Sequence, residues 1–306
     1  TRMSQGSVSG RATAIGLMAV VLWSAMVALV RTVTETFGAA LGAALIYSVA
    51  AVILWIVRRP ASLRKAPRRY LLLGGLLFVA YEISFSLALG MASDASQAIE
   101  VSVLNYLWPT FTVVLSVIVN RAQRAGWTLI PGVILAMMGI VWVVAGDMGF
   151  DAHRVLENIA SNPLPYLLAF GGAVIWAIYS VFTPRFSRGY DGIAPFFAAT
   201  AVGLWVIYAV MDRSVPEVVA AGDGLSVLVA AAVIAGGYAC WNIGILGGNV
   251  TIMATASYAT PVFSSAIASL LLGAALSTPF RQGVLLVTIG SLLCWWATRS
   301  PRPRAA

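Results

Sequence analysis

The stretch Ser102-Val-Leu-Asn-Tyr-Leu-Trp-Pro-Thr-Phe111 decides how this chain reads. It lies near the middle of an apolar run, Gln97–Val119, and a proline there removes one backbone hydrogen bond and kinks a helix. Ser102, Asn105 and Tyr106 fall at i, i+3 and i+4, so they share one helical face with Pro109 at i+7. Inside a membrane such a polar stripe beside a kink is tolerated only where it faces protein or a water-filled cavity. The device returns 152 residues later as Ser257-Tyr-Ala-Thr-Pro-Val-Phe263, with Pro261 in the place of Pro109. Both copies read Tyr-x-x-Pro-x-Phe.

Composition sets the class. Of 306 residues, 60% are hydrophobic and 10% charged, with a mean hydropathy of +0.90. Soluble domains average roughly 45–50% apolar and about 25% charged. An integral membrane protein is the reading that fits. The net charge of +8 would point to nucleic acid in a soluble chain, but here the basic residues follow the loops. Cys240 and Cys294 lie inside apolar runs and read as small packing residues rather than a disulfide or a metal site.

A helix crossing the bilayer needs about 20 apolar residues. Ten segments qualify: Ala12–Val30, Ala39–Val57, Tyr70–Leu89, Gln97–Val119, Trp127–Ala145, Pro165–Phe182, Ile193–Met211, Leu225–Leu246, Thr251–Leu272 and Gly283–Ala297. The first is long enough to span and is expected to stay in place as a helix rather than be cleaved. Ten spans put both termini on one side. That side holds 15 of the 19 basic residues, six of them in the loop from Arg58 to Arg69. The other side holds only Arg31, Arg154, Arg213 and Arg281, and most of the acidic residues. The positive-inside rule then places both termini in the cytoplasm, in a multi-pass protein of the plasma (bacterial inner) membrane.

The halves repeat. Leu22-Trp23-Ser24 matches Ile175-Trp176-Ala177 at an offset of 153, and the proline motifs match at 152. Gly132 and Gly139 match Gly283 and Gly290 at 151. The third and eighth spans match loosely through Tyr81 and Tyr238. Residues 1–150 and 151–306 are therefore expected to be two five-span units. Five is odd, so the second unit is inverted relative to the first. Inverted repeats are the recurrent plan of secondary transporters, which bind substrate near the midplane, often at broken helices.

With five plus five spans, a mid-membrane proline in spans four and nine and glycine-punctuated spans five and ten, the chain resembles the EamA-like drug/metabolite transporter superfamily. Within it, the chain is most similar to the aromatic amino acid exporter branch. The resemblance covers nearly the whole length and implies export of small metabolites, including amino acids, from the cytoplasm. Many members carry an acidic residue after the fourth span, where this chain has Asn120-Arg121.

Glu82 is the sharpest candidate residue. It lies roughly 18 Å along the third span. An intramembrane carboxylate marks a substrate or proton path, unless it is held as a structural hydrogen-bonding group. Glu100, nearer a helix end, carries a weaker form of the same signal. Tyr81, Tyr106, Trp108, Tyr238, Trp241 and Tyr258 are aromatic at mid-depth, where interfacial belts do not reach. Trp176 and Tyr179 occupy the sixth span, with Trp23 as the repeat partner of Trp176. Singly these read as helix packing; together they can line a cavity for a flat or apolar side chain. Ser102, Asn105, Asn242 and Ser257 supply polar contacts or helix glue. Pro109 and Pro261 are the expected hinges.

No Lys or Arg lies within any span, and phosphate recognition ordinarily uses them, so sugar phosphates and nucleotide sugars are not the expected cargo. The expected substrate is a small zwitterion, chiefly an aromatic or apolar amino acid, moved by alternating access. Alternatives within the superfamily are a drug, a nucleoside or another metabolite. An enzyme lacks its parts: the lone histidine, His153, lies in a loop, and neither a His-Glu-x-x-His motif nor a P-loop occurs. A channel lacks a charged ring. No cofactor, metal or nucleic acid is expected. The partners are the bilayer, the substrate and, through Glu82, protons, and an inverted repeat can be complete as a monomer.

Overall fold

The computed structural model describes residues 10–93, 95–119, 126–145, 152–211, 213, 215–216, 219–248, 253, 256–260, 262–263 and 278–298. Every regular element among them is helical: α1 Gly10–Ser24, α2 Met26–Phe37, α3 Ala39–Arg58, α4 Gly75–Gly90, α5 Ala95–Asn105, α6 Trp108–Val119, α7 Leu129–Ala145, α8 Ala152–Ser161, α9 Pro163–Ser187, α10 Ile193–Met211, α11 Ala221–Gly247 and α12 Thr278–Thr298. A short 3-10 turn, Leu63–Lys65, follows α3, and a π turn, Tyr70–Gly74, leads into α4. Five helices are long and apolar enough to cross a membrane alone, and α1 with α2, bent by 40°, brings the number to six. Shorter apolar stretches lie within α7 and α12. The chain is a multi-pass, all-helical membrane protein.

Local chemistry explains the breaks. Ser24 turns its hydroxyl back to the Val20 carbonyl, at 2.7 Å, a bond that weakens a helix and bends it. The bend follows at Ala25, and the helix resumes as α2. Sequence reading ends this span at Val30, but α2 continues to Phe37, because Arg31 pairs with Glu35 one turn on and with the Ala92 carbonyl. Gly38, at φ 78°, then makes the turn into α3. Likewise α12 begins at Thr278, ahead of the expected Gly283, so Arg281 sits on a helix. The stretch between the fifth and sixth expected spans contains the amphipathic helix α8, with Leu156 exposed. Most of the ninth expected span, Thr251–Leu272, lies outside the described residues, as do Asn120-Arg121 and Pro261.

Among the described residues, helices before residue 150 pack on helices after it. The closest helix pairs are α1 with α11, α3 with α10, α4 with α9, and α7 with α12. The last pair shows how close. A Cβ on Gly139 would lie 2.6 Å from the Val287 amide nitrogen and 2.8 Å from the Gly283 carbonyl, so the backbones touch. Gly290 meets the Ala136 amide in the same way, 2.6 Å from the Gly132 carbonyl. The bare glycine faces are thus close-packing surfaces. Gly290→Val should overpack this seam and lower stability by about 1–3 kcal/mol, read as a lower unfolding midpoint in detergent; an unchanged midpoint would show that the seam gives way.

The loops sort to two ends. Arg58 pairs with Asp191 at 2.7 Å, and Tyr190 donates to the Ala61 carbonyl. At the other end Asn162 donates to the Met91 carbonyl and to Gln97, and Thr36 lies 3.5 Å from Asp223.

Candidate functional site

The fourth expected span is broken where its sequence says. Helix α5 stops at Asn105, Tyr106 and Leu107 form a turn, and α6 restarts at Trp108. Pro109 falls in the first turn of α6, where the missing N–H has no helical partner to lose. The Leu107 amide donates to Leu104 and the Phe111 amide to Leu107. The second copy is built alike: the Ala259 amide donates to Ala256 and the Phe263 amide to Ala259, both at 2.9 Å. Each of these three residues stands 152 after its counterpart. The two breaks also meet, with the Thr110 hydroxyl 3.4 Å from that of Tyr258. Ser24 ties α1 to the second break, its hydroxyl 3.2 Å from the Thr260 carbonyl.

Between these breaks and the first, third, sixth and eighth expected spans lies a cavity. It is lined by Trp23, Met26, Val27, Tyr81, Phe85, Asn105, Tyr106, Trp108, Trp176, Tyr238 and Thr260. Six of the thirteen residues expected to bind substrate are among them, and so are both members of the pairs Trp23/Trp176 and Tyr81/Tyr238. The aromatic rings pack on one another: Tyr81 on Trp176 at 4.6 Å, Trp23 on Tyr238 at 5.1 Å, and Trp108 edge-on to Trp176 at 6.3 Å. The cavity is only about 40 Å³. A water needs about 10–15 Å³ by this measure, so there is room for a few waters but not for an aromatic ring.

Its polar atoms are few and incompletely used. Asn105 donates to the Tyr81 hydroxyl at 3.3 Å, while its carbonyl oxygen is buried without a partner. The indole N–H of Trp23 is likewise buried and unpartnered. Buried polar groups are nearly always bonded, so an idle acceptor and an idle donor in one cavity wall call for an explanation.

The other candidates lie elsewhere. Glu82 is fully buried and is not among the lining residues. Its carboxyl accepts a short hydrogen bond from Tyr47, which itself accepts one from Ser86 at 3.2 Å, and Tyr238 lies beside it. One carboxyl oxygen, Oε1, has no partner. Tyr238 thus separates the carboxyl from the cavity while touching both. Trp241 packs at a tilt on Trp23 and Tyr179 stacks on Trp176, each at 5.0 Å, as a second aromatic layer. Ser102 donates to the Ala98 carbonyl, and Ser257 is buried. Tyr258 packs with Ala136, Ile140 and Val287 beside the cavity rather than in its wall. Asn242 is half-buried on α11 and lines neither the cavity nor the glycine seam. Sequence reasoning does not single out Tyr47, Phe85, Met26, Val27 or Thr260. Tyr47-Ser48, a polar pair in the middle of α3, is the one signal that draws attention to Tyr47.

Comparison with known proteins agrees with this architecture. The profile of the EamA-like transporter family matches residues 163–296. The aromatic amino acid exporter YddG of Salmonella typhimurium (strain 14028s / SGSC 2262) is 47% identical over 95% of this chain and 99% of its own length. The exporter of the same name from Escherichia coli (strain K12) is 48% identical over 94% and 98%. That from Ancylobacter novellus is 30% identical over 83% and 86%. A solved structure superposes with a TM-score of 0.74 at 26% identity, covering 94% of this chain and 99% of that one. The chain belongs to the EamA-like transporter family and is a homologue of the aromatic amino acid exporter YddG.

Proposed function

We propose that this transporter exports aromatic and other apolar amino acids by alternating access around the Trp23–Trp176 cavity. The observation that carries the reading is the pairing of idle polar atoms with an aromatic wall. The free carbonyl oxygen of Asn105 can accept from a substrate ammonium, and the free indole N–H of Trp23 can donate to its carboxylate. The Trp and Tyr rings around them offer stacking and cation–π contacts. The relatives, named as aromatic amino acid exporters, support the same reading. In the present packing Tyr81 and Trp176 occupy each other's faces, so admitting a substrate ring means parting them. The test is efflux from liposomes loaded with labelled phenylalanine, tryptophan, threonine, uridine or a quaternary ammonium dye. Saturable efflux of the aromatic amino acids is expected. Movement of uridine or the dye with no amino acid moving would sink the proposal.

The moving parts are two inverted five-span units, ten spans in all, with both termini in the cytoplasm. Support comes from the reciprocal glycine seam. Gly139 meets Val287 and Gly290 meets Ala136, an exchange that turns into itself when the halves are swapped at the 151-residue offset. The cross-half pairing obeys the same swap: α1–α11 becomes α9–α4, and the remaining two pairs map onto themselves. Pro109 and Pro261 then act as hinges of equivalent gates opening to opposite sides. A cysteine within Arg64–Arg69 should resist an impermeant reagent added outside intact cells, and one at Ala152 should react. Reversed labelling refutes the orientation. Pro109→Ala, combined with cysteines along the cavity, should shift their accessibility toward one side, and unchanged accessibility and transport would remove its hinge role.

A further inference from the structure

A second concavity, of about 230 Å³, lies between the π turn with α4 and the far half of α9. Tyr70, Leu73, Gly74, Leu77, Phe182 and Thr183 are among its walls. The π turn forms one wall, and the Tyr70 ring packs over Gly74, where a Cβ would meet it at 2.8 Å. Its lip consists of Leu72, Leu73 and Leu76, which are 72%, 52% and 67% exposed. In a membrane-spanning chain this face meets lipid tails. The walls are almost wholly apolar, and the hydroxyl-bearing residues among them are Tyr70 and Thr183.

One end of the groove is cationic. Arg68 and Arg69 directly precede Tyr70, and Arg188 follows α9. The Tyr70 and Tyr190 rings, 6.4 Å apart, bring these two segments together. The ion pairs among the described residues use Arg58 and Asp191 at this end and leave Arg68, Arg69 and Arg188 exposed. Lipid tails are as apolar as leucine, so burying a chain in the groove adds little by itself. Retention must come from the head group, and guanidinium groups recognise phosphate through charge-assisted, often paired, hydrogen bonds.

We propose that this groove holds one anionic phospholipid, its acyl chain between the π turn and α9, its ester carbonyls at the Tyr70 and Thr183 hydroxyls, and its phosphate at Arg68, Arg69 and Arg188. Such a lipid bridges the two helices that carry Tyr81 and Trp176 to the central cavity. The test is native mass spectrometry of the full chain released from nanodiscs of equal phosphatidylglycerol and phosphatidylcholine. The wild type should keep one phosphatidylglycerol under activation that strips phosphatidylcholine. Arg68→Gln with Arg69→Gln should lower that retention by about fivefold for each arginine neutralised. Both positions are exposed, so the variant should fold. Thr183→Phe, which fills the groove without changing charge, should lower it as well. Equal retention of the two lipids by the wild type, or phosphatidylglycerol retention untouched by the double substitution, overturns the site. Displacement by soluble glycerol 3-phosphate overturns it too, since that would mean a phosphate site without a lipid.

Discussion

Trp176→Ala is expected to lower phenylalanine efflux about tenfold and to flatten the preference for phenylalanine over threonine. Trp176 is 3% exposed and touches the rings of Phe78, Tyr81, Trp108, Tyr179 and Tyr238, so it is the hub of the aromatic wall. An aromatic pair contributes about 0.5–1.5 kcal/mol beyond its area. Together with the apolar surface that the substrate ring would no longer bury, the effect reaches about the 1.4 kcal/mol that makes a factor of ten. The substitution also opens a void, and a buried Trp→Ala change costs about 3–5 kcal/mol of stability. Reduced protein in the membrane would then mimic lost transport. The selectivity ratio separates the two, because fewer folded molecules lower both fluxes alike. Trp176→Phe keeps a ring in place and should preserve most of the preference. A phenylalanine-to-threonine ratio in Trp176→Ala equal to that of the wild type would show that this wall does not touch cargo.

What can be read without coordinates follows from how local the cause is. Apolar length is a property of a segment alone, so α3, the span Tyr70–Gly90, α9, α10 and α11 are all legible within a few residues. Pro109 acts on its own turn, and the break at Tyr106-Leu107 follows. The cavity is half legible. Trp23 and Trp176 are visible because the repeat marks them twice, and repeat partners converge on the seam between halves. Tyr258 shares that signal, yet it faces the glycine seam, because the turn at Tyr258-Ala259 sets its direction and no periodicity reports that. The extension of α2 through Arg31 and Glu35 is hidden for a related reason. Charges read as loop, whereas an i, i+4 ion pair and the Ala92 carbonyl keep them on a helix. The π turn is invisible: five apolar residues in a row are equally compatible with either winding.

Glu82 shows the limit most sharply, and the second large effect is expected there. Its sequence signal, a carboxyl in mid-span, is plain, but the group that satisfies it, the Tyr47 hydroxyl, comes from α3, with Ser86 of its own helix donating to Tyr47 and Tyr238 of α11 beside it. No cation among the described residues pairs with it, and Tyr47, Ser86 and Tyr238 offer only hydroxyls. The carboxyl therefore stands one residue behind the cavity wall, reaching it through Tyr238, with Oε1 left open to a proton. This geometry suits a proton site better than a direct contact with a substrate ammonium. Glu82→Gln keeps an acceptor for Tyr47, so the variant should fold, reach the membrane and still transport. Its efflux should lose the pH dependence of the wild type, because an amide cannot titrate. Glu82→Leu should behave differently: it removes the acceptor for the buried Tyr47 O–H, at about 1–3 kcal/mol, and should lower the unfolding midpoint in detergent. Tyr47→Phe should share part of that loss and shift the pH profile without flattening it, since the carboxyl remains. The deciding measurement is efflux from liposomes held at equal inner and outer pH across the range from mildly acidic to mildly basic. A Glu82→Gln profile that overlays the wild type, together with a lowered midpoint in Glu82→Leu, would leave the carboxyl as a structural acceptor for Tyr47 and nothing more.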